Sequence, residues 1–287
     1  MLVTDARMND MLALGRPSPA LMMLVAVLAV PAAAQQRSDV ILATTTSVRD
    51  AGLLAHLLPR FERTTGVTVR VIAVGSGQAM ALGRGGDADV LILHDPEGER
   101  RFVEDGYGIE REPLMHNHFV LVGPTADPAG AREAVTAAAA LEVIGRAGAL
   151  FVSRGDQSGT HVKEAALWRS AGLQTDREWY RESGQGMSAT LQIANELRAY
   201  TISDIGTLLA HKAPLDLRIF VEDDPALLNP YHVVVANPER FPWVNAEGGR
   251  ALSAFLRSPD IQSVIYRFGR EEHGRSLFLP DAVPAAR

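Results

Sequence analysis

The sequence predicts an α/β protein of two lobes. Strand-like and helix-like segments alternate along the chain, two such β/α units follow one another, and glycine- and hydroxyl-rich loops fall where strands give way to helices. Apolar residues are 47% of the 287 and charged residues 22%, a composition that buries a core.

Asp39 to Ala43 reads as a short buried strand, and Thr44-Thr45-Thr46-Ser47 as a turn. Leu53 to Thr65 has helical spacing through Leu54, Leu57, Leu58 and Phe61, and Gly66 closes it. Val67 to Val74 is β-branched and strand-like until Gly75-Ser76-Gly77 breaks it. Gln78 to Arg84 gives a short helix and Asp89 to Leu93 a third strand. This β-α-β-α-β order implies a parallel sheet flanked by helices. His116 to Val122 is the next strand, ended by Gly123-Pro124, and a helix is expected over Ala131 to Gly145. Ala149 to Ser153 is a strand that leads into Arg154-Gly-Asp-Gln-Ser-Gly-Thr160. Helices follow at His161 to Ala171 and Met187 to Arg198, and strands at Arg218 to Val221 and Tyr231 to Ala236. Ala251 to Leu256 and Ile261 to Phe268 are the closing helices.

Two α/β units in a chain of this length give two lobes. The chain crosses between them near His118 to Val122 and Tyr231 to Ala236. Lobe I is then residues 36–115 with the returning segment 231–287, and lobe II is residues 116–230.

Residues 1–34 read as a signal peptide. Arg7 and Arg16 precede the apolar run Leu21 to Val30, and Pro31, Ala32, Ala33 and Ala34 lead to Gln35. The run is too short for a stable membrane anchor. The sequence has no cysteine, which excludes disulfides, a cysteine zinc site, a cysteine nucleophile and a lipid-modified cysteine. A soluble, untethered periplasmic protein is expected. The net charge of -6 argues against nucleic acid or an anionic membrane as partner. It also means that a bound anion must be held by a local site.

Three loops offer such a site. Thr44 to Ser47 presents four hydroxyls ahead of a helix. Gly75-Ser76-Gly77 lets backbone approach a ligand closely, and Ser153 to Thr160 supplies Arg154, Ser158 and Thr160. Ligands of open parallel sheets bind beyond the carboxyl ends of strands, and helix N-termini favour anions. Hydroxyls, amides and one guanidinium satisfy a tetrahedral dianion without a metal or other cofactor. Taken singly, each loop also fits a plain helix cap or turn, and Arg154 also fits a surface ion pair. The eight histidines show no ligand spacing on a helix; His116 and His118 alternate along a strand, where hinge or surface roles compete with metal binding. No Gly-x-Ser-x-Gly elbow surrounds Ser76 or Ser158, so an enzyme is not expected.

The ordered motifs resemble the extracellular tungstate-binding proteins of ABC transporters over almost the whole mature chain. They are Ala43-Thr-Thr-Thr-Ser47 with Gly52-Leu-Leu, Val74-Gly-Ser-Gly77, Ser153-Arg-Gly-Asp-Gln-Ser-Gly-Thr-His161, and Lys163-Glu164. Trp179-Tyr180, Gly184-Gln-Gly-Met187, Ile193-Ala-Asn-Glu196, Tyr200-Thr-Ile-Ser-Asp204 and Asn229-Pro-Tyr-His-Val-Val234 continue the series. The resemblance implies a two-lobed type II periplasmic-binding-protein fold, each lobe a mostly parallel sheet flanked by helices. It implies a monomer that captures tungstate or molybdate between its lobes and delivers it to an ABC-type permease. By position it assigns Thr45, Thr46, Ser47, Ser76, Arg154, Ser158 and Thr160 to the ligand, with Ser188 as a further donor. Asp156 keeps a second reading open, because an acidic residue in this loop also suits the proton that phosphate carries. Phosphate or sulfate binding on the same fold, and an exported enzyme acting on phosphorylated substrates, are the alternatives.

Overall fold

The computed structural model describes residues 39–175 and 178–282, and the expected signal peptide lies outside them. All described residues belong to one compact unit, Arg37–Arg287. In chain order the elements are β1 (Asp39–Thr45), α1 (Thr46–Asp50), α2 (Leu53–Thr65), β2 (Thr68–Val74), α3 (Ser76–Gly85), β3 (Val90–Leu93) and α4 (Pro96–Glu104). Next come β4 (Gly108–Pro124), α5 (Ala137–Ala147), β5 (Phe151–Ser153), α6 (Gly159–Ser170), β6 (Tyr180–Glu182) and α7 (Met187–Leu197). Then follow β7 (Thr201–Asp204), α8 (Ile205–Leu209), β8 (Leu217–Val221), β9 (Leu228–Ala236), α9 (Ala246–Leu256), α10 (Pro259–Arg267), α11 (Arg270–His273) and β10 (Leu279–Pro280).

The centre of β1, Val40 to Ala43, is apolar because the sheet is covered on both faces. Val40, Leu42, Val90, Ile92 and Val233 face one cluster with the α2 residues Leu53, Leu54, Leu57, Leu58 and Phe61. Ala43, Leu91, Leu93 and Val234 face another with Ala79, Met80 and Phe102. Period-two alternation inside continuous apolar runs is the signature of strands buried on both sides. Helix α2 ends where Gly66 turns left-handed at φ 73 and its N–H bonds the Glu62 carbonyl.

The expected mostly parallel sheets are instead mixed. β1 pairs in parallel with β2 and β3, but β9 runs antiparallel to both β3 and β4. The chain leaves the first sheet along β4 and returns beside it along β9, and neighbouring outgoing and incoming strands must run in opposite directions. β4 has 17 residues. Gly108 to His118 pairs with β9, while Phe119 to Pro124 pairs antiparallel with β7 and β8. Its far end splits its side chains between two further clusters, Phe119 and Leu121 on one side and Val120 and Val122 on the other. The short parallel pair β5–β6 continues this second region through a bridge from Phe151 to Tyr200.

Three local expectations change. The Thr44 to Ser47 turn is the end of β1 and the start of α1. The helix expected over Ala131 to Gly145 is a 3-10 turn, Ala131–Glu133, followed by α5, whose Thr136 cap accepts from Ala139 N–H. The fourth strand starts at Gly108 rather than His116.

Candidate functional site

The loops after β1, β2 and β5 open α1, α3 and α6. Thr45 sits at the N-cap of α1, yet its hydroxyl bonds Ser47 Oγ at 3.1 Å instead of capping the helix. Gly75 and Gly186 begin α3 and α7 and offer no side chain to cap them. Ser158 does cap α6, accepting from His161 N–H at 3.3 Å. The N-terminal N–H groups of four helices therefore meet this region, and helix N-termini attract negative charge.

The loops touch one another. Gly159 N–H donates to Ser76 Oγ at 3.1 Å. A Cβ on Gly75 would lie 3.7 Å from the Asp156 carbonyl and 4.0 Å from Ser158 Cβ. A Cβ on Gly186 would lie 3.6 Å from Thr46 Oγ1, which brings α7 to the first loop. Thr45, Ser47, Ser76, Arg154, Ser158 and Thr160 are all at most 2% exposed, and Thr46 is half-buried.

Arg154 dominates the electrostatics. Its Nη2 donates to Asp156 Oδ2 at 2.5 Å, and its buried Nε–H has no protein partner. The hydroxyl oxygens of Thr46 and Thr160 are likewise buried without a partner. An unpaired buried donor costs about 1–3 kcal/mol, more when it is charged, so such a set calls for an acceptor. Asp156 also accepts from Ser158 N–H at 3.1 Å, so both its oxygens face the loop's own donors.

Glu164 lies behind the loop, 1% exposed. Ser153 Oγ donates to it at 2.8 Å and Tyr180 Oη at 2.7 Å. Burial pushes its pKa up to about 7, against those hydrogen bonds. Ser153 Oγ in turn accepts from Gly155 N–H at 3.2 Å, which ties the buried acid to the backbone around Arg154.

Sequence reasoning passed over a second polar layer on the crossing strands. It holds His94, just after β3, with Asn117 on β4 and Asn229 and Tyr231 on β9; these four are buried. The rule that ligands gather beyond strand ends would have found His94. Ser188 is half-buried and bonds His211 Nδ1 at 3.1 Å. His116 bonds Asp281 at 2.7 Å, and no group of three metal-ligating side chains occurs among the described residues. Trp168 packs edge-on against Phe151 in the core, with ring centroids 5.0 Å apart.

A mixed α/β fold whose helix N-termini gather around buried hydroxyls and a guanidinium is that of a solute-binding protein. Residues 30–260 match the PBP superfamily domain. The tungstate-binding protein TupA of Peptoclostridium acidaminophilum is 44% identical over 250 residues, 86% of this chain and 87% of that protein. A putative ABC transporter anion-binding protein of Haloferax volcanii is also 44% identical over 250 residues, 85% of this chain and 72% of its own. A solved tungstate ABC transporter structure from Geobacter sulfurreducens superposes with a TM-score of 0.74 at 46% identity, covering 79% of this chain and 97% of that one. The tungstate-binding protein TupA of Desulfovibrio alaskensis gives 0.73 at 39%, covering 85% and 99%. The chain belongs to the PBP superfamily, and within it to the family of these tungstate-binding proteins.

Proposed function

We propose that this protein captures tungstate, or the closely similar molybdate, between its two lobes outside the cytoplasmic membrane and delivers it to an ABC-type permease. One observation carries the reading. A buried guanidinium, Arg154, keeps an unpartnered Nε–H among hydroxyls drawn from three separate loops. The ligand set is Thr45, Thr46, Ser47, Ser76, Arg154, Ser158 and Thr160. Each hydroxyl can accept within the protein and still donate its hydrogen. Ser76 accepts from Gly159 N–H and Ser158 from His161 N–H, while Thr45 and Ser47 share one hydrogen and leave the other. That is a donor-only face, suited to a fully deprotonated oxyanion. Asp156 serves as the partner of Arg154 and Ser158 rather than as an acceptor for a ligand proton.

The lobes in this reading are joined by β4 and β9, with lobe II starting near the point where β4 leaves β9 for β7. The protein acts by binding, not catalysis, as a monomer, and reaches the periplasm by its N-terminal leader. The relatives' names support the anion and the transporter. Titration calorimetry of ligand-free protein against tungstate, molybdate, phosphate and sulfate tests the reading. Tight binding of tungstate with weak or no heat from phosphate is expected; tight phosphate binding without tungstate binding overturns it.

A further inference from the structure

The first turn of α6 meets the facing loops at Gly159. Its N–H donates to Ser76 Oγ at 3.1 Å, in the loop after β2. A Cβ on Gly159 would lie 2.8 Å from His94 Cε1, 2.9 Å from His94 Nδ1 and 2.9 Å from the His94 carbonyl oxygen, just after β3. Non-bonded carbon atoms pack at about 3.5–4.0 Å, so no side chain fits there. Gly75 and Gly77 lie at the same contact but leave more room. A Cβ on either would come no nearer than 3.7 Å to the facing loop, which is ordinary packing.

Backbone conformation does not require the glycine. Gly159 is the first residue of α6 and is not among the residues of positive φ. Alanine suits such a position in a helix better than glycine. What excludes it is His94, which has no room to retreat. The His94 ring is buried, stacks on Tyr231 with centroids 4.9 Å apart, and bonds Asn229 at 2.9 Å. Its carbonyl oxygen belongs to main chain held on both sides. Leu93 pairs with His232 in the sheet, and Asp95 caps α4 by accepting from Gly98 N–H at 3.1 Å. A side chain at 159 therefore pushes the first turn of α6 away. Ser158 and Thr160, the proposed ligands on either side of Gly159, then move with it relative to Ser76.

We propose that Gly159 is a positioning residue for anion capture: because it has no side chain, α6 packs directly onto His94 and Ser76, and this contact sets the spacing between donors on the two sides of the anion. This inference rests on the proposed function above. It extends that reading to a residue that brings no side-chain donor of its own.

Calorimetric titration of Gly159→Ala with tungstate tests it, with thermal unfolding of the ligand-free protein as the check on folding. Overpacking a close contact is expected to weaken tungstate binding about tenfold. A purely structural role would lower the unfolding temperature and leave the affinity of the folded molecules unchanged. A crystal structure of the variant grown with tungstate is expected to show the first turn of α6 withdrawn from His94 by about half an ångström. In the wild-type tungstate complex, the Gly159 N–H is expected to be protected from hydrogen exchange, a measurement by NMR that does not depend on the variant. Unchanged affinity in Gly159→Ala, an unmoved first turn of α6, or a Gly159 amide that exchanges as fast as in an unfolded chain each overturns the inference while leaving the proposed function standing. Absence of tungstate binding by the wild-type protein overturns both.

Discussion

Arg154 and the hydroxyls around it form the proposed anion site, and substitutions separate their bonding to the protein from their bonding to the anion. Truncating one partner of a buried charged contact costs about 2–5 kcal/mol, so Arg154→Ala should weaken tungstate at least ~30-fold in calorimetry. Thr160 Oγ1 is buried and unpartnered, so Thr160→Val removes a desolvated hydroxyl at nearly constant volume. The ligand-free protein should unfold at the same or higher temperature, while tungstate affinity falls about tenfold. Glu164 gives a pH signature. Its folded pKa of about 7 stands above the ordinary 4.5, so its contribution is fully present below pH 4.5 and is lost as pH rises through 7. That loss is on the order of 3 kcal/mol. Denaturant unfolding across this window should show wild type weakening with pH, and Glu164→Gln should remove that part of the slope. The three loops were legible as hydroxyl- and glycine-rich segments after strands, and the structure brings them together; their contact with an anion is the proposal. That His94, Asn117, Asn229 and Tyr231 form one polar layer was not legible, since they come from three separate strands or strand ends and only the fold shows that they meet.

At the scale of elements, legibility followed hydrophobic patterning. α2 was readable end to end because Leu54, Leu57, Leu58 and Phe61 recur at helical spacing and Gly66 stops it. Leu57, fully buried in the cluster between α2 and the sheet, should cost about 2–5 kcal/mol when changed to Ala, measured by urea unfolding with an unchanged slope. The first half of β4 was illegible for physical reasons. Glu110 takes a positive φ of 52, and the register with β9 shifts between Ile109 and Glu112 and again between Pro113 and Met115. These irregularities break the period-two alternation that announces a strand. α4 was hidden because it buries only Gly98, Glu99 and Phe102, and Glu99 is buried as a partner of Arg111 at 2.9 Å. Parallel pairing was read correctly for β1, β2 and β3, where strands alternate with helices. It failed for β9, because direction there depends on where the chain comes back.

For the whole molecule, the loops of both regions lie close enough to hydrogen-bond directly, as Gly159 does with Ser76. An anion held by donors on both sides would stabilise this arrangement, and its binding energy would add to folding stability in proportion to the logarithm of its concentration over Kd. The succession of two β/α units was legible; the long strand β4 that joins them was not, because its two halves bond different neighbours. The central claim is that one oxyanion sits among Ser47, Ser76, Arg154 and Thr160. The most direct measurement is a crystal structure of the protein grown with tungstate, with anomalous scattering recorded at the tungsten edge. A single strong peak within hydrogen-bonding distance of the Arg154 guanidinium and of hydroxyls from both sides is the predicted result; a peak elsewhere, or none at saturating tungstate, contradicts the account.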